Sequence, residues 1–142
     1  MRSIITLICL VIISQNTCYA STPSKPTVEE NVIITPIWPN IEAAVKSYYS
    51  EYISGDVSVA PYDAKIIAVD DKSKSEVWAR VHKYMVTIDV MPFIGAHNYL
   101  GKDRVVIGVD IGNATKVYDF KHLESYEINH PYQKKRFIKP LP

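Results

Sequence analysis

The sequence contains only two cysteines, Cys9 and Cys18, and both lie within its first twenty residues. The chain beyond residue 20 therefore has no disulfide to stabilise it and no thiol to act as a nucleophile. The sequence also lacks an HExxH zinc helix, a GxSxG nucleophile turn, a phosphate-binding Walker loop, a GxGxxG turn and an EF-hand loop. These absences exclude the enzyme and cofactor classes that such motifs define, and we expect no cofactor.

The sequence also has no large excess of charge of one sign. The chain has 16 basic and 15 acidic side chains, and Arg2 is the only charged residue among the first twenty. The remainder is formally neutral, whereas a nucleic-acid-binding protein would show a concentrated basic excess. We therefore expect no nucleic-acid partner.

The first twenty residues have the pattern of an export signal. Arg2 precedes an apolar run over residues 4–13 that contains one hydroxyl residue, Thr6, and Cys18-Tyr19-Ala20 has small residues at both cleavage-recognition positions. The apolar run is shorter than the roughly 20 residues that span a bilayer. We predict a cleaved signal peptide at 1–20 and a secreted or cell-envelope protein with no stable membrane anchor. A polar spacer at 21–27, one domain at 28–128 and a basic, proline-containing tail at 129–142 would follow.

Helical patterns occupy the first part of the predicted domain. Thr27 and Glu30 fit a capping box at a helix start. Pro36 is expected to end or kink this first helix, and Pro39 to begin a second one that runs towards Gly55. The second helix would bury a stripe at helical spacing, formed by Ile37, Ile41, Ala44, Val45, Tyr48, Tyr49 and Tyr52.

The pattern after Pro61 alternates with a period of two and predicts four strands. Their predicted bounds are Tyr62 to Val69, Glu76 to Met91, Arg104 to Ile111 and Thr115 to His122. Helices followed by an antiparallel meander indicate an α+β fold, with N-terminal helices packed on a four-stranded sheet. Cystatin-like and nuclear-transport-factor-like folds share this order of elements.

The segment from Pro92 to Arg104 is too long for a tight hairpin. Its glycines permit unusual backbone angles and its polar side chains could contact a ligand. We predict a binding surface here, extended by a tyrosine pair of the helix. Its residues are Gly95, His97, Asn98, Lys102 and Asp103, with Tyr48 and Tyr49.

These motifs resemble a family of secreted proteins from spore-forming Gram-positive bacteria, known as domain of unknown function 3888. The resemblance rests on the Tyr48-Tyr49 pair, Gly95-Ala96-His97-Asn98, Gly101-Lys102-Asp103, Phe120-Lys121-His122 and Tyr126. Glycine typically follows the tyrosine pair directly in this family, whereas here Ser50-Glu51-Tyr52 extends the helix first. The resemblance implies an exported bacterial protein and supplies no activity, cofactor or site residue.

His97, Asp103 and His122 are the candidates for chemistry. If the third and fourth strands pair, both histidines lie near one end of the sheet. They could then share a metal ion, or one could act as a base that Asp103 orients. The alternative, which we favour, is structural. In it Asn98 occupies a left-handed turn position, His97 bonds loop carbonyls, and His122 packs at a strand end.

The absence of a catalytic motif favours a non-enzymatic binding module whose partner is an extracytoplasmic protein, peptide or glycan. The first alternative is a metal-dependent or histidine-dependent hydrolase that uses the loop from Gly95 to Asp103 together with His122. The second alternative is a cystatin-like protease inhibitor, which rests on the order of elements alone.

Overall fold

The computed structural model describes residues 26–73, 82–110, 112 and 114–142. The predicted signal peptide and the predicted start of the second strand at Glu76 lie outside these residues. Within them, the chain forms one long helix and then a four-stranded antiparallel sheet, which confirms the predicted α+β fold class. None of the helices in the described part is long and apolar enough to cross a membrane.

A single helix, α1, covers Val28–Tyr49. The predicted capping box is present, because the Thr27 side chain accepts from the Glu30 N–H and the Glu30 carboxylate accepts from the Thr27 N–H. The predictions that the helix ends at Pro36 and that a second helix begins at Pro39 were wrong, since both prolines lie inside α1. One buried stripe continues past both prolines, so burial outweighs the hydrogen bonds that they cannot donate. Its members are Ile34, Ile37, Ile41, Val45 and Tyr49.

The helix also ends earlier than predicted. Its last residue is Tyr49, and the N–H of the capping residue Ser50 donates to the Lys46 carbonyl. The chain then turns through Gly55, whose φ of 89° is a left-handed angle that favours glycine. The expected helical extension through Tyr52 is therefore absent.

The main sheet has the strand order β1-β2-β5-β6, with neighbours antiparallel. The strand bounds are β1 Lys65–Asp71, β2 Tyr84–Val90, β5 Gly101–Val109 and β6 Thr115–Ser125. A short 3₁₀ helix at Pro61–Asp63 replaces the predicted start of the first strand, because Pro61 favours a helical turn. β5 begins three residues before its predicted start at Arg104 and ends at Val109, and β6 continues three residues past its predicted end at His122, so that Gly101 pairs with Ser125.

The segment from Pro92 to Arg104 forms a second, smaller sheet that the sequence did not predict. Its strands β3, Phe93–Ile94, and β4, Asn98–Tyr99, pair around a turn that contains Gly95 and His97. Both turn residues have positive φ, 57° for Gly95 and 56° for His97. The predicted left-handed position at Asn98 was therefore wrong, because Asn98 belongs to the strand.

The core lies between α1 and one face of the main sheet. The helix contributes its buried stripe, and β2 and β5 contribute alternate residues from their inner faces. These are Val86, Ile88, Val90, Val105 and Ile107. Asp103 has the same alternation as Val105 and Ile107, so a carboxylate lies on the core side of β5.

The segment predicted as a basic tail folds back onto the end of α1. It contains a short helix, α2, at Pro131–Lys134, and Phe137 forms an isolated bridge with Ile53. The Arg136 side chain donates to the carbonyls of Ser54 and Asp56. This packing brings the last residues of the chain close to the end of β6.

Candidate functional site

Four polar side chains meet where the last turn of α1 lies against the start of β5 and the end of β6, and we call them the polar cluster. They are Tyr49, Asp103, His122 and Ser125. Asp103 and His122 are cross-strand partners in the β5 and β6 register, and Ser125 ends β6. Tyr49 enters from the last turn of the helix. Three elements distant in sequence therefore supply the cluster.

The imidazole of His122 lies between two partners. Its Nδ1 is 2.6 Å from Asp103 Oδ1, and its Nε2 is 2.7 Å from Ser125 Oγ. The Tyr49 hydroxyl donates to Asp103 Oδ1 at 3.3 Å and also lies 3.3 Å from His122 Nδ1. A hydrogen-bonded chain therefore runs from the buried carboxylate through the ring to an exposed hydroxyl.

Burial decides the electrostatics of this chain. The Asp103 side chain is completely buried, and 7 % of the His122 side chain is exposed. Burial raises the pKa of Asp103, and hydrogen bonds from His122 and Tyr49 oppose that rise. Burial, and then Asp103, raises the pKa of Tyr49, so this phenol remains a donor at neutral pH.

The second oxygen of the Asp103 carboxylate has a different environment from the first. Asp103 Oδ2 is buried and has no hydrogen-bond partner among the described residues. An unpaired buried acceptor is uncommon in folded proteins because it loses its interaction with water. The cluster therefore holds an acid that burial disfavours in its charged form.

Neighbouring residues fix the orientation of the His122 ring. Tyr48 stacks on it with ring centroids 5.8 Å apart and planes 21° apart. Gly101 leaves room for it, since a Cβ there would lie 2.8 Å from His122 Cε1 and 2.0 Å from the Glu124 carbonyl oxygen. Glycine at 101 is thus required by a close approach of two strands, not by an unusual φ.

A second group of side chains surrounds the β3 and β4 turn, and we call it the aromatic loop cluster. It comprises Tyr62, Phe93, His97 and Tyr99. His97 and Phe93 have ring centroids 4.6 Å apart, and the Tyr62 hydroxyl is 3.3 Å from both ring nitrogens of His97. Tyr62 and His97 are exposed, while Phe93 and Tyr99 are half-buried.

A hydrogen bond holds the aromatic loop cluster in place on one side, and an open groove borders it on another. The Tyr99 hydroxyl donates to Asp63 Oδ2 at 2.8 Å, and burial, then Asp63, raises the pKa of Tyr99 to about 12. An open groove of about 550 Å³ lies beside the cluster. Its lining residues are His97, Asn98, Tyr99, Glu127, Ile128, Asn129, His130 and Pro131.

The structure divides the predicted site residues among three environments. Tyr48, Tyr49, Asp103 and His122 meet at the polar cluster, whereas Gly95, His97 and Asn98 belong to the loop. Lys102 lies on the opposite sheet face, where its Nζ is 3.1 Å from Asp89 Oδ2. The predicted binding surface is therefore not one continuous patch.

The alternative in which His97 and His122 share a metal ion is not supported by the geometry. The His97 ring contacts Tyr62, Phe93 and Tyr99, whereas the His122 ring contacts Tyr48 and Tyr49. In the part of the chain that the structure describes, no three His, Cys, Asp or Glu side chains form a group that could hold a metal ion.

Sequence reasoning missed Ser125 and Tyr62. Ser125 lay beyond the predicted end of the last strand, and Tyr62 was assigned to a strand that starts three residues later. Serine three residues after a histidine carries no general signal, so only the register of β6 could have revealed this pair.

Comparison with known proteins places the chain in a family without assigning a role to any residue. No curated protein and no solved structure matches it. One family model matches residues 29–124, a range that includes Tyr49, Asp103 and His122 and ends one residue before Ser125. The chain belongs to the family described as protein of unknown function DUF3888.

Proposed function

We propose that this protein is an exported binding module that recognises an uncharged saccharide of the cell envelope through the aromatic loop cluster. The observation that carries the proposal is the turn residue His97, which has a φ of 56° and lies exposed among aromatic rings. A left-handed angle costs a non-glycine residue free energy, and such strain clusters at functional sites.

The fixed geometry of the loop favours binding. The Ser58 and Phe93 backbones exchange two hydrogen bonds, and Tyr99 is anchored on Asp63. Rings held in place by hydrogen bonds lose little conformational entropy when a ligand arrives. The aromatic loop cluster is thus a preorganised surface.

The chemistry of this surface favours a saccharide. Exposed aromatic faces can cover the apolar face of a sugar ring, while hydroxyl and amide groups at the edges can pair with its hydroxyls. Asn98 and Asn129 line the groove and provide such groups, and the Tyr62 hydroxyl lies 3.3 Å from His97, which also lines it. Among the residues that the structure describes, no Lys or Arg lines the groove, so a neutral ligand suits it better than an anionic one.

Titration of the purified protein with the tetramer of N-acetylglucosamine, followed by two-dimensional NMR, tests the proposal. We expect shifts at Tyr62, His97 and Tyr99, and about tenfold weaker binding for Tyr62→Ala, because an aromatic contact contributes about 0.5–1.5 kcal/mol. Tyr62→Phe keeps the ring and should bind within about threefold of wild type.

The matched control is Ile67→Ala, an exposed residue on β1, which should leave affinity unchanged. Absence of shifts at millimolar saccharide would contradict the proposal. Equal loss of affinity in Ile67→Ala would also contradict it, as would binding of a proline-rich peptide, but no saccharide, at the same residues.

A further inference from the structure

The polar cluster contains a carboxylate, an imidazole and a hydroxyl in the order that activates the serine of serine hydrolases. A buried carboxylate contacts one imidazole nitrogen, Asp103 Oδ1 to His122 Nδ1 at 2.6 Å, and a hydroxyl contacts the other, Ser125 Oγ to Nε2 at 2.7 Å. In serine hydrolases the carboxylate keeps the proton on Nδ1, so that Nε2 can accept the serine proton. This arrangement is recognised by geometry and not by the order of residues in the chain.

Solvent exposure in the polar cluster increases from the carboxylate through the imidazole to the hydroxyl. Asp103 is fully buried, His122 is nearly so, and Ser125 is exposed at the end of β6. A base that is shielded from water keeps its orientation, while an exposed hydroxyl can meet a substrate. The stacked ring of Tyr48 and the space left by Gly101 restrict the imidazole further.

A largely apolar groove of about 270 Å³ lies beside Ser125. Ile128, Phe137, Pro140 and Leu141 form its apolar part, and Tyr126, Glu127 and Lys134 also line it. The apolar part of the groove has the character that suits a short acyl chain.

The Ser125 hydroxyl has one hydrogen and two acceptors within reach. It donates to the main-chain oxygen of Pro142 at 2.9 Å, and His122 Nε2, 2.7 Å from Oγ, can accept the hydrogen when this nitrogen carries no proton. The proton can pass to His122 only when the hydroxyl turns away from Pro142.

We propose that Ser125 is the nucleophile of an acyl-transfer reaction on short-chain carboxylic esters, with His122 as the base and Asp103 as a positioning residue. Ser125 Oγ bonds to the ester carbonyl carbon as its proton moves to His122 Nε2. The carbon–alkoxy bond then breaks, and the departing alcohol takes that proton. Water repeats the sequence on the acyl-serine, which releases the carboxylic acid and restores the hydroxyl.

A fluorophosphonate probe tests this directly, because Oγ displaces fluoride from phosphorus and the serine proton leaves as hydrogen fluoride. We expect one adduct per chain by intact mass, located by peptide mapping at Ser125 and absent from Ser125→Ala. His122→Gln should label about 100-fold more slowly, since general-base catalysis contributes at least about that factor. Hydrolysis of 4-nitrophenyl acetate should fall in both variants.

The control is Ser50→Ala, which removes another exposed serine hydroxyl, one that donates to the Ser47 carbonyl at 2.7 Å. This variant should label like wild type. An adduct at another serine, or equal labelling of His122→Gln and wild type when both are folded by circular dichroism, would overturn the proposal.

The pH profile of wild-type labelling decides the matter if His122→Gln does not fold. Labelling assisted by a general base should reach a plateau as pH rises, whereas an unassisted hydroxyl should react about tenfold faster with each pH unit. Asp103→Asn should slow labelling and change this profile, an effect that loss of stability alone would not produce. Continuous acceleration with pH would overturn the proposal.

Discussion

Two buried aspartates on neighbouring strands have opposite electrostatic environments. Asp89, on the outer face of β2, accepts from Arg104 Nε at 2.7 Å and Nη2 at 3.1 Å and pairs with Lys102 at 3.1 Å. Asp103, on the inner face of β5, contacts an imidazole and a phenol, and its second oxygen has no partner in the described part of the chain.

Their pKa values shift in opposite directions. Burial would raise the pKa of Asp89, but the hydrogen bonds and charges of Arg104 and Lys102 outweigh it and lower the pKa. Burial dominates at Asp103 and raises its pKa. A carboxylate between two cations serves stability, whereas one that burial disfavours is typical of a functional site.

The largest effect should follow from closing the space beside Asp103. Gly101→Ala would place a Cβ 2.0 Å from the Glu124 carbonyl oxygen, a backbone atom that cannot move without distorting β6. We expect a loss of about 3 kcal/mol in the free energy of unfolding, measured by urea denaturation. Gly112→Ala, where no described residue has an atom within 4 Å of the new Cβ, is the control and should change little. Equal stability of both variants would contradict the strand register.

Removal of one cation from Asp89 should have the next largest effect. Arg104→Met keeps much of the side-chain length but leaves the buried carboxylate with Lys102 alone. We expect a measurable loss in the free energy of unfolding, because the buried carboxylate then has one cation fewer and loses two charge-assisted hydrogen bonds. Thermal and urea unfolding should agree on this loss, and unchanged stability would show that Asp89 does not depend on Arg104.

Neutralising each aspartate in turn should show how much its charge contributes to the free energy of unfolding. Asp89→Asn loses two charge-assisted interactions and should cost about 1.5 kcal/mol at pH 7. Asp103→Asn removes a charge that burial disfavours and should cost less than about 1 kcal/mol. A larger loss in Asp103→Asn than in Asp89→Asn would reverse the comparison.

The pH dependence of stability should differ in sign between the two sites. Because the pKa of Asp89 is lowered on folding, its contribution is present above the unfolded pKa of about 3.9 and is lost as pH falls below it. Because the pKa of Asp103 is raised on folding, the folded state loses stability as pH rises from the unfolded pKa of about 3.9 towards the higher folded pKa. Relative to wild type, Asp103→Asn should thus gain in melting temperature as pH rises from about 4 towards 7, while the loss in Asp89→Asn should stay constant over that range and shrink as pH falls below about 4. Parallel curves would contradict the assignment.

Local sequence signals predicted much of the fold and little of the site. Alternation over β2 and β5 and the Ile37, Ile41 and Val45 spacing indicated the sheet and the buried helix face. Local rules failed at Pro36, where a buried stripe overrides proline's preference for a helix end. The polar cluster joins Tyr49 to Asp103 across 54 residues, and its contacts depend on strand register, which residue composition does not determine.

Carboxyl-detected NMR titration of Asp89 and Asp103 in the wild-type protein measures the central comparison most directly. The account predicts that Asp103 titrates above the ordinary aspartate value of about 3.9 and Asp89 below it. A titration in which Asp103 falls below that value, or in which the two carboxyls coincide, would contradict the distinction between them.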